Sequence, residues 1–201
     1  MLLVDDFSRK TWVCFLSRKS DALSNFQVWL AQVENQSRAK VSFLRTDNGR
    51  EFLPFDDFLA SKGIQRQTTI PYTPSQNGVV ERKNRTVKEM ARSLLQHAKL
   101  PPAFWGEAIA TSVYILNRSL TKAVDGKTPE EVFSRRKPNV SHFRVFGCVA
   151  HVHVPASKRT TLAAKSTQMI FTGYALRSKG FRFWDPSIGD IVLSRDVCFD
   201  E

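Results

Sequence analysis

Asp47 closes the β-rich run AKVSFLRTD and opens the loop NGREF, while Glu81 follows the Pro/Gly-rich PYTPSQNG on a basic, helix-patterned stretch. A carboxylate at a strand end and another early in a helix can meet over one metal ion. Magnesium suits such a pair, because it is hard and takes oxygen ligands, usually one or two carboxylates with waters and substrate phosphates. Two such ions hold both the attacking and the leaving oxygen of a phosphoryl transfer. A plainer reading stands beside this one. Asp in Asp-Asn-Gly is a common turn former, and a Glu on a basic helix is commonly solvated. Asp5 and Asp6, which end the apolar run MLLV, carry the same two readings, metal ligands or turn residues.

The elements that must position these residues are legible in the pattern. MLLVDD and KTWVCFLS read as a hairpin around the turn-like DDFSRK. SDALSNFQVWLAQVENQ reads as a helix with Ser20 as N-cap and Leu23, Phe26, Leu30 and Val33 as its buried stripe. A strand ends at Asp47. PFDDFLASKG is a short helix stopped by Gly63, IQRQTTI a further β run, and PYTPSQNG a loop. A long helix is predicted over roughly Ser75 to Lys99, with Val80, Val87, Ala91, Leu94 and Ala98 on one face and Glu81, Arg85, Lys88 and Arg92 on another. Pro101 and Pro102 end it. AFWGEAIATSVYILNRS is a second helix, and KTPEEVF starts a third, with Thr128 as cap and Pro129 at the first helical position. From about His142 the chain turns into short β runs separated by Gly, Pro and Asp, the pattern of a small β-barrel-like module. The first module alternates strands and helices and is therefore α/β.

The chain of 201 residues is 42% apolar and 24% charged, so it folds around a core rather than remaining disordered. Its net charge is +11. Such an excess points to an anionic partner, nucleic acid being the commonest, with solubility alone as the alternative. Cys14, Cys148 and Cys198 are distant and odd in number, which gives no disulfide framework and predicts buried free thiols. The four histidines have no cysteine partners at zinc spacing. Trp12, Trp29, Trp105 and Trp184 read as core residues. Met1 is followed at once by apolar residues and acids, unlike a signal peptide, and no apolar run is of membrane-spanning length.

FLRTDNGREF followed by PYTPSQNGVVERKNRTVKEMARSLL closely resembles the integrase core of copia-type LTR retrotransposons. VDDFSRKTWV at the start fits the same family, as do FRVFGCVAHVHVP, KSTQMIFTGYALRSKGFRFWDP and SRDVCFDE in the tail, so the resemblance covers essentially the whole chain. It implies an RNase H-like core over residues 1–99 that lacks its first strand, a helical connector over 100–141, and a small Src-homology-3-like β-barrel over 142–201. It also implies a carboxylate triad holding two magnesium (or manganese) ions, with water and then a DNA 3′-hydroxyl attacking phosphodiesters.

By position, Asp47 matches the second catalytic Asp and Glu81 the catalytic Glu, both as metal ligands. The 33 residues between them, positions 48 to 80, are slightly fewer than the family shows. PSQNG resembles the active-site loop, with Gln76 and Asn77 near substrate. Asn84, Arg85 and Lys88 resemble DNA-contacting positions, and a solvated polar helix face is the alternative. Arg66, Arg82, Lys83 and Arg92, beside Gln65, add positive charge nearby. Lys158, Arg159, Lys165, Arg177, Lys179 and Arg182 of the β module offer a second DNA surface or a protein contact.

The resemblance also implies a first catalytic Asp in a D-x-x-G-P-type motif and an amino-terminal His/Cys zinc region. Neither is among these residues. Metal bound by Asp47 and Glu81 alone is expected to be weak and poorly placed. The expected partners are DNA, as transposon ends and target, and further copies of the chain, with no membrane and no small-molecule substrate. Function by resemblance lies in the nucleus. Three readings follow. The first is a DNA-integrating polynucleotidyl transferase by descent, inactive in this form. The second is a non-catalytic DNA-binding remnant, and the third a decayed transposon fragment. Asp5 and Asp6 then fall at a turn after the place of the catalytic strand.

Overall fold

The computed structural model describes residues 1–68, 78–160, 163–176 and 178–201. The chain divides into two compact units. One joins Met1–Arg85 with Asn117–Pro138, and the other joins Thr86–Leu116 with Asn139–Glu201. Among the described residues no helix is long and apolar enough to cross a membrane.

The first unit opens with the expected hairpin, β1 (Leu2–Val4) antiparallel to β2 (Thr11–Val13). Asp5 and Asp6 make its turn. Asp5 Oδ2 accepts hydrogen bonds from the main-chain N–H and the hydroxyl of Ser8, and Asp6 pairs with Arg9, whose φ is +62°. These are turn contacts of the kind that Asp side chains supply. The helix α1 (Ala22–Ser37) follows, and its buried stripe is Ala22, Phe26, Leu30 and Val33, one position earlier at its start than the pattern predicts. Ser20 does not cap it. A 3-10 turn over Lys19–Asp21 comes first, where Asp21 Oδ2 accepts from Arg18 N at 3.0 Å.

The strand β3 (Phe43–Thr46), the helix α2 (Phe55–Lys62) and the strand β4 (Gln65–Thr68) complete a βαβ passage. β4 runs parallel to β3, with Phe43 opposite Gln65 and Thr46 opposite Thr68. Gly63 ends α2 at φ +69°, a backbone position that glycine occupies without steric cost. Phe26, Phe55, Leu59 and Ile64 form the core, and Leu3 of β1 and Leu44 of β3 pack against it with Met1 and Val41, which precede those strands. The helix α5 (Pro129–Ser134) belongs to this unit and is capped as its sequence predicts, with Thr128 Oγ1 accepting from Glu131 N at 3.1 Å.

Asn117 closes the outer edge of β2. Its Oδ1 accepts from Thr11 N at 2.9 Å and its Nδ2 donates to Thr11 O at 2.7 Å, as a neighbouring strand would. Lys10 sits inside this wall, paired with Glu130 at 2.9 Å and 4.2 Å from the centroid of the Phe133 ring.

In the second unit, α4 (Trp105–Leu116) packs on a fully antiparallel five-stranded sheet. The strands are β5 (Val149–His153), β6 (Ser166–Tyr174), β7 (Phe181–Asp185), β8 (Asp190–Ser194) and β9 (Val197–Asp200), in the spatial order β8-β7-β6-β5-β9. Phe171, Phe183, Ala150 and Val152 are its core. The register of β6 against β7 shifts between Phe171 and Gly173. Gly173 has φ +143°, and a Cβ there would lie 2.4 Å from Thr111 Oγ1 of α4. Thr111 Oγ1 donates to Thr172 O at 3.0 Å, and Tyr114 stacks on Tyr174 with ring centroids 4.2 Å apart. The helix thus seats in the bulge of the strand.

The three thiols are free, as expected, but their burial departs from expectation: Cys14 and Cys148 are half-buried and Cys198 is exposed. Strand alternation explains Cys198, because burial alternates along β9 and the cysteine falls on its outer face. Trp12 and Trp29 pack edge to face in the first unit, whereas Trp105 is exposed.

Candidate active site and nucleic-acid face

Thr46, the last residue of β3, is buried, and its hydroxyl accepts a hydrogen bond from Arg66 Nε at 3.1 Å. The same guanidinium donates from Nη1 to Asp56 Oδ1 and Oδ2, at 2.8 and 2.9 Å, and to Phe52 O at 3.1 Å. Asp56 lies in the first turn of α2, where the helix dipole favours a carboxylate. Arg66 therefore braces the strand end that presents Asp47. Its charge is matched by Asp56, so it is not the free positive charge that its place in the sequence suggests.

Asp47 stands exposed at that strand end. Its Oδ1 accepts from Gly49 N at 3.0 Å. Glu51 comes back toward it. A Cβ placed on Gly49 would lie 2.8 Å from Glu51 Oε2 and 3.0 Å from Asp47 Oδ1, so the two carboxylates flank one backbone point that glycine keeps clear. Lys19 Nζ is 3.9 Å from Glu51 Oε1. Glu51 escaped the sequence reading, and its only signal was the four-residue step from Asp47 within a loop.

Glu81 lies exposed in the first turn of α3 (Gly78–Ala98). Asn84, Arg85 and Lys88 are exposed too, at spacings that place them on the Glu81 side of the helix. Lys83, half-buried, has its pKa lowered by burial and then by the charge of Arg9. Gln76 and Asn77 lie outside the described residues, as does Arg177. Arg182 is held by Glu107 through two 2.7 Å hydrogen bonds, which occupies one of the cations offered for a second DNA surface or a protein contact. Lys165 and Lys179 are exposed, and His151 and His153 share the exposed face of β5.

Asp5, Asp47, Glu51, Gln67, Val80 and Asn84 line one cavity of about 1040 Å³ in the first unit. The strand end and the first turn of α3 thus open on common space, although Glu81 is not part of its lining. The donors are carboxylate oxygens and suit a hard divalent cation in kind. In number they fall short: among the described residues no group of three His, Cys, Asp or Glu side chains is arranged to hold a metal ion.

Residues 1–74 match the integrase core domain family, and residues 148–201 match the retroviral polymerase SH3-like domain family. The retrovirus-related Pol polyprotein from transposon TNT 1-94 of Nicotiana tabacum is 44% identical over 98% of this chain, and the chain spans 15% of its length. A chain of the simian T-cell lymphotropic virus intasome, solved by cryoEM with the PP2A regulatory subunit B56 gamma, superposes with a TM-score of 0.55 at 22% identity. That match covers 98% of this chain and 72% of the viral one. The HTLV-2 integrase catalytic core domain, solved in complex with magnesium in a dimeric form, gives 0.50 at 23% identity over 67% of this chain and 82% of its own. The two structures establish a retroviral integrase fold. With both domain families found in order and a Pol polyprotein matched nearly end to end, the chain belongs to the retrotransposon integrases of Pol polyproteins.

Proposed function

We propose that this chain is a retrotransposon integrase piece that binds DNA through the basic face of α3 and lacks strand-transfer activity in this form. The observation that carries the reading is the presentation of Asp47 from a braced strand end onto a cavity shared with the start of that basic helix. Residues 1–99 act as the catalytic core, 100–141 as connector and 142–201 as the β module. Asp47 and Glu81 are the metal ligands, for magnesium or manganese, and Gln76, Asn77, Asn84, Arg85 and Lys88 contact the DNA backbone. Phosphate contacts of that kind position a duplex without reading its sequence. The metal would polarise a phosphodiester and activate the attacking oxygen. With two carboxylates assigned and no three-residue cluster among the described residues, binding of that metal is weak. The magnesium of the HTLV-2 core and its dimeric form support a divalent ion and self-association here. DNA as transposon end and target, and action in the nucleus, follow from the same descent.

A magnesium-dependent cleavage and joining assay on the 201-residue chain tests the proposal. DNA binding without joining is expected. Robust joining that Asp47→Asn abolishes would sink the inactive reading and restore the enzyme.

A second reading, a DNA-binding module that works without metal, draws on the same missing third ligand. It predicts DNA affinity unchanged by a chelator.

A further inference from the structure

Burial alternates along β5, with Ala150 and Val152 in the core and His151 and His153 exposed. On β9, the neighbouring strand at the edge of the sheet, Phe199 packs against that core and Cys198 is exposed. The pairing of the two strands sets His151 directly opposite Cys198. His153 N donates to Asp196 O at 2.9 Å, so the same ladder carries on and sets the exposed Asp196 opposite His153. Residues opposite one another share a face. Two imidazoles, a thiol and a carboxylate therefore stand at the corners of one patch on the outer face of the sheet. His151 and Cys198 are far apart in sequence, and only the strand pairing makes them neighbours.

The spacing suits one ion. Directly paired strand residues have Cβ atoms about 5.5 Å apart, and residues two apart on a strand, as His151 and His153 are, lie about 6.7 Å from each other. Zinc takes imidazole nitrogen at about 2.0 Å and thiolate sulfur at about 2.3 Å. Cysteine has the shortest reach here, so the ion sits over β9 beside Cys198, and the longer imidazoles lean across to it from β5. A water held by Asp196 takes the fourth place of the tetrahedron. As they stand the side chains do not converge, and no three of them make a metal cluster among the described residues. All four are exposed, so rotation about their side-chain bonds brings them together over a ladder already fixed by its main-chain bonds. Arg195 Nε lies 3.6 Å from Asp196 Oδ1, and the ion must compete with it. Both members of that pair are exposed, which makes it weak. On the other side of β5, Ser166 and Gln168 of β6 stand opposite His153 and His151 and can accept from the ring N–H that the ion leaves free.

We infer that His151, His153 and Cys198 bind one zinc ion on the outer face of the β module, with Asp196 holding its water. The ligand set selects the ion, because imidazole and thiolate suit zinc, whereas magnesium takes oxygen ligands and gives up its waters reluctantly. The ion ties β9 to β5 and so fastens the edge of the sheet. The site lies within the second unit, shares no residue with the Asp47 and Glu81 pair, and does not rest on the integrating reading.

The whole chain, reduced and stripped with a chelator, is titrated with zinc by calorimetry and with cobalt as a spectroscopic stand-in for zinc. One ion per chain is expected, with a thiolate-to-cobalt charge-transfer band that excess magnesium does not remove. Zinc should also raise the unfolding temperature, as a ligand of the folded state does. Cys198→Ser should abolish the band, and His151→Gln should weaken zinc binding at least about tenfold. Cys14→Ser should change neither. Absence of the band at saturating cobalt, a band that survives Cys198→Ser, or zinc affinity unchanged by His151→Gln overturns the proposal. One ion per two chains, with the mass doubled, also overturns it, because the ion is then a bridge between copies.

Discussion

Asn117 grips both main-chain polar groups of Thr11, 106 residues earlier in the chain, through its carboxamide oxygen and nitrogen. The contact is buried, so neither group has water to fall back on. Asn117→Ala should cost about 2 kcal/mol by leaving a buried donor and acceptor unmet. Asn117→Asp should cost at least as much, since it sets a second acceptor against Thr11 O. Urea unfolding monitored by tryptophan fluorescence measures both, with an unchanged slope expected.

Gly49→Ala tests the carboxylate pair beside the strand end. The new methyl group meets Glu51 Oε2 and Asp47 Oδ1, both at the ends of side chains that can move. Stability should change by less than about 1 kcal/mol, as for surface substitutions in general, while divalent-ion affinity falls severalfold. Isothermal titration with manganese reads the affinity, and thermal unfolding without metal reads the stability.

Gly173→Ala tests the seating of α4 in the bulge. It combines a backbone at φ +143° with a 2.4 Å approach to Thr111 Oγ1. A loss of about 3 kcal/mol or more is expected, in the range of backbone strain added to overpacking. Adding Thr111→Ala should return part of that loss, since it removes the colliding oxygen. A double-mutant cycle by chemical denaturation gives the coupling.

Reversing Arg85 and Lys88 to Glu should weaken DNA binding evenly across sequences and flatten its salt dependence. Each phosphate that the protein no longer neutralises lowers the slope of log K against log salt by about 0.9 for duplex DNA. Fluorescence anisotropy between about 50 and 200 mM salt checks it. A slope equal to that of the parent chain would return these residues to a solvated helix face.

Cys148 gives a pH signature. Burial pushes its thiol from 9.0 to about 11, with a further push from Glu201. A raised folded pKa means that the stabilising contribution is full below the unfolded value near 9 and is lost as pH climbs through 11. Cys148→Ser should remove that alkaline loss. At about pH 8, just under the ordinary thiol range, the exposed Cys198 should react with a thiol reagent well before Cys148.

The local elements were readable because their signals are local. The hairpin, the Gly63 stop and the Thr128 cap each rest on residues within a few positions of one another. On the predicted face of α3, Val87 and Ala91 are buried as expected, while Leu95 rather than Leu94 takes the next buried place. Arg66 read as an added positive charge because Asp56, its partner, stands on a different element. Of the candidate site, Asp47 and Glu81 were legible as positions. The approach of Glu51 was not, because it depends on a loop folding back over a glycine.

The interleaved segments of the two units set the order in which the chain can mature on the ribosome. α4 buries Ala108, Ile109 and Val113, and its Thr111 waits for Thr172, which is 61 residues further on. At about 5–20 residues per second, that partner emerges roughly 3 to 12 s after the helix. Throughout that delay an apolar helix is out of the exit tunnel with no sheet to cover it, while residues 117–138, which complete the earlier unit, emerge in between. Holding factors that bind nascent apolar segments therefore have a window of several seconds at α4.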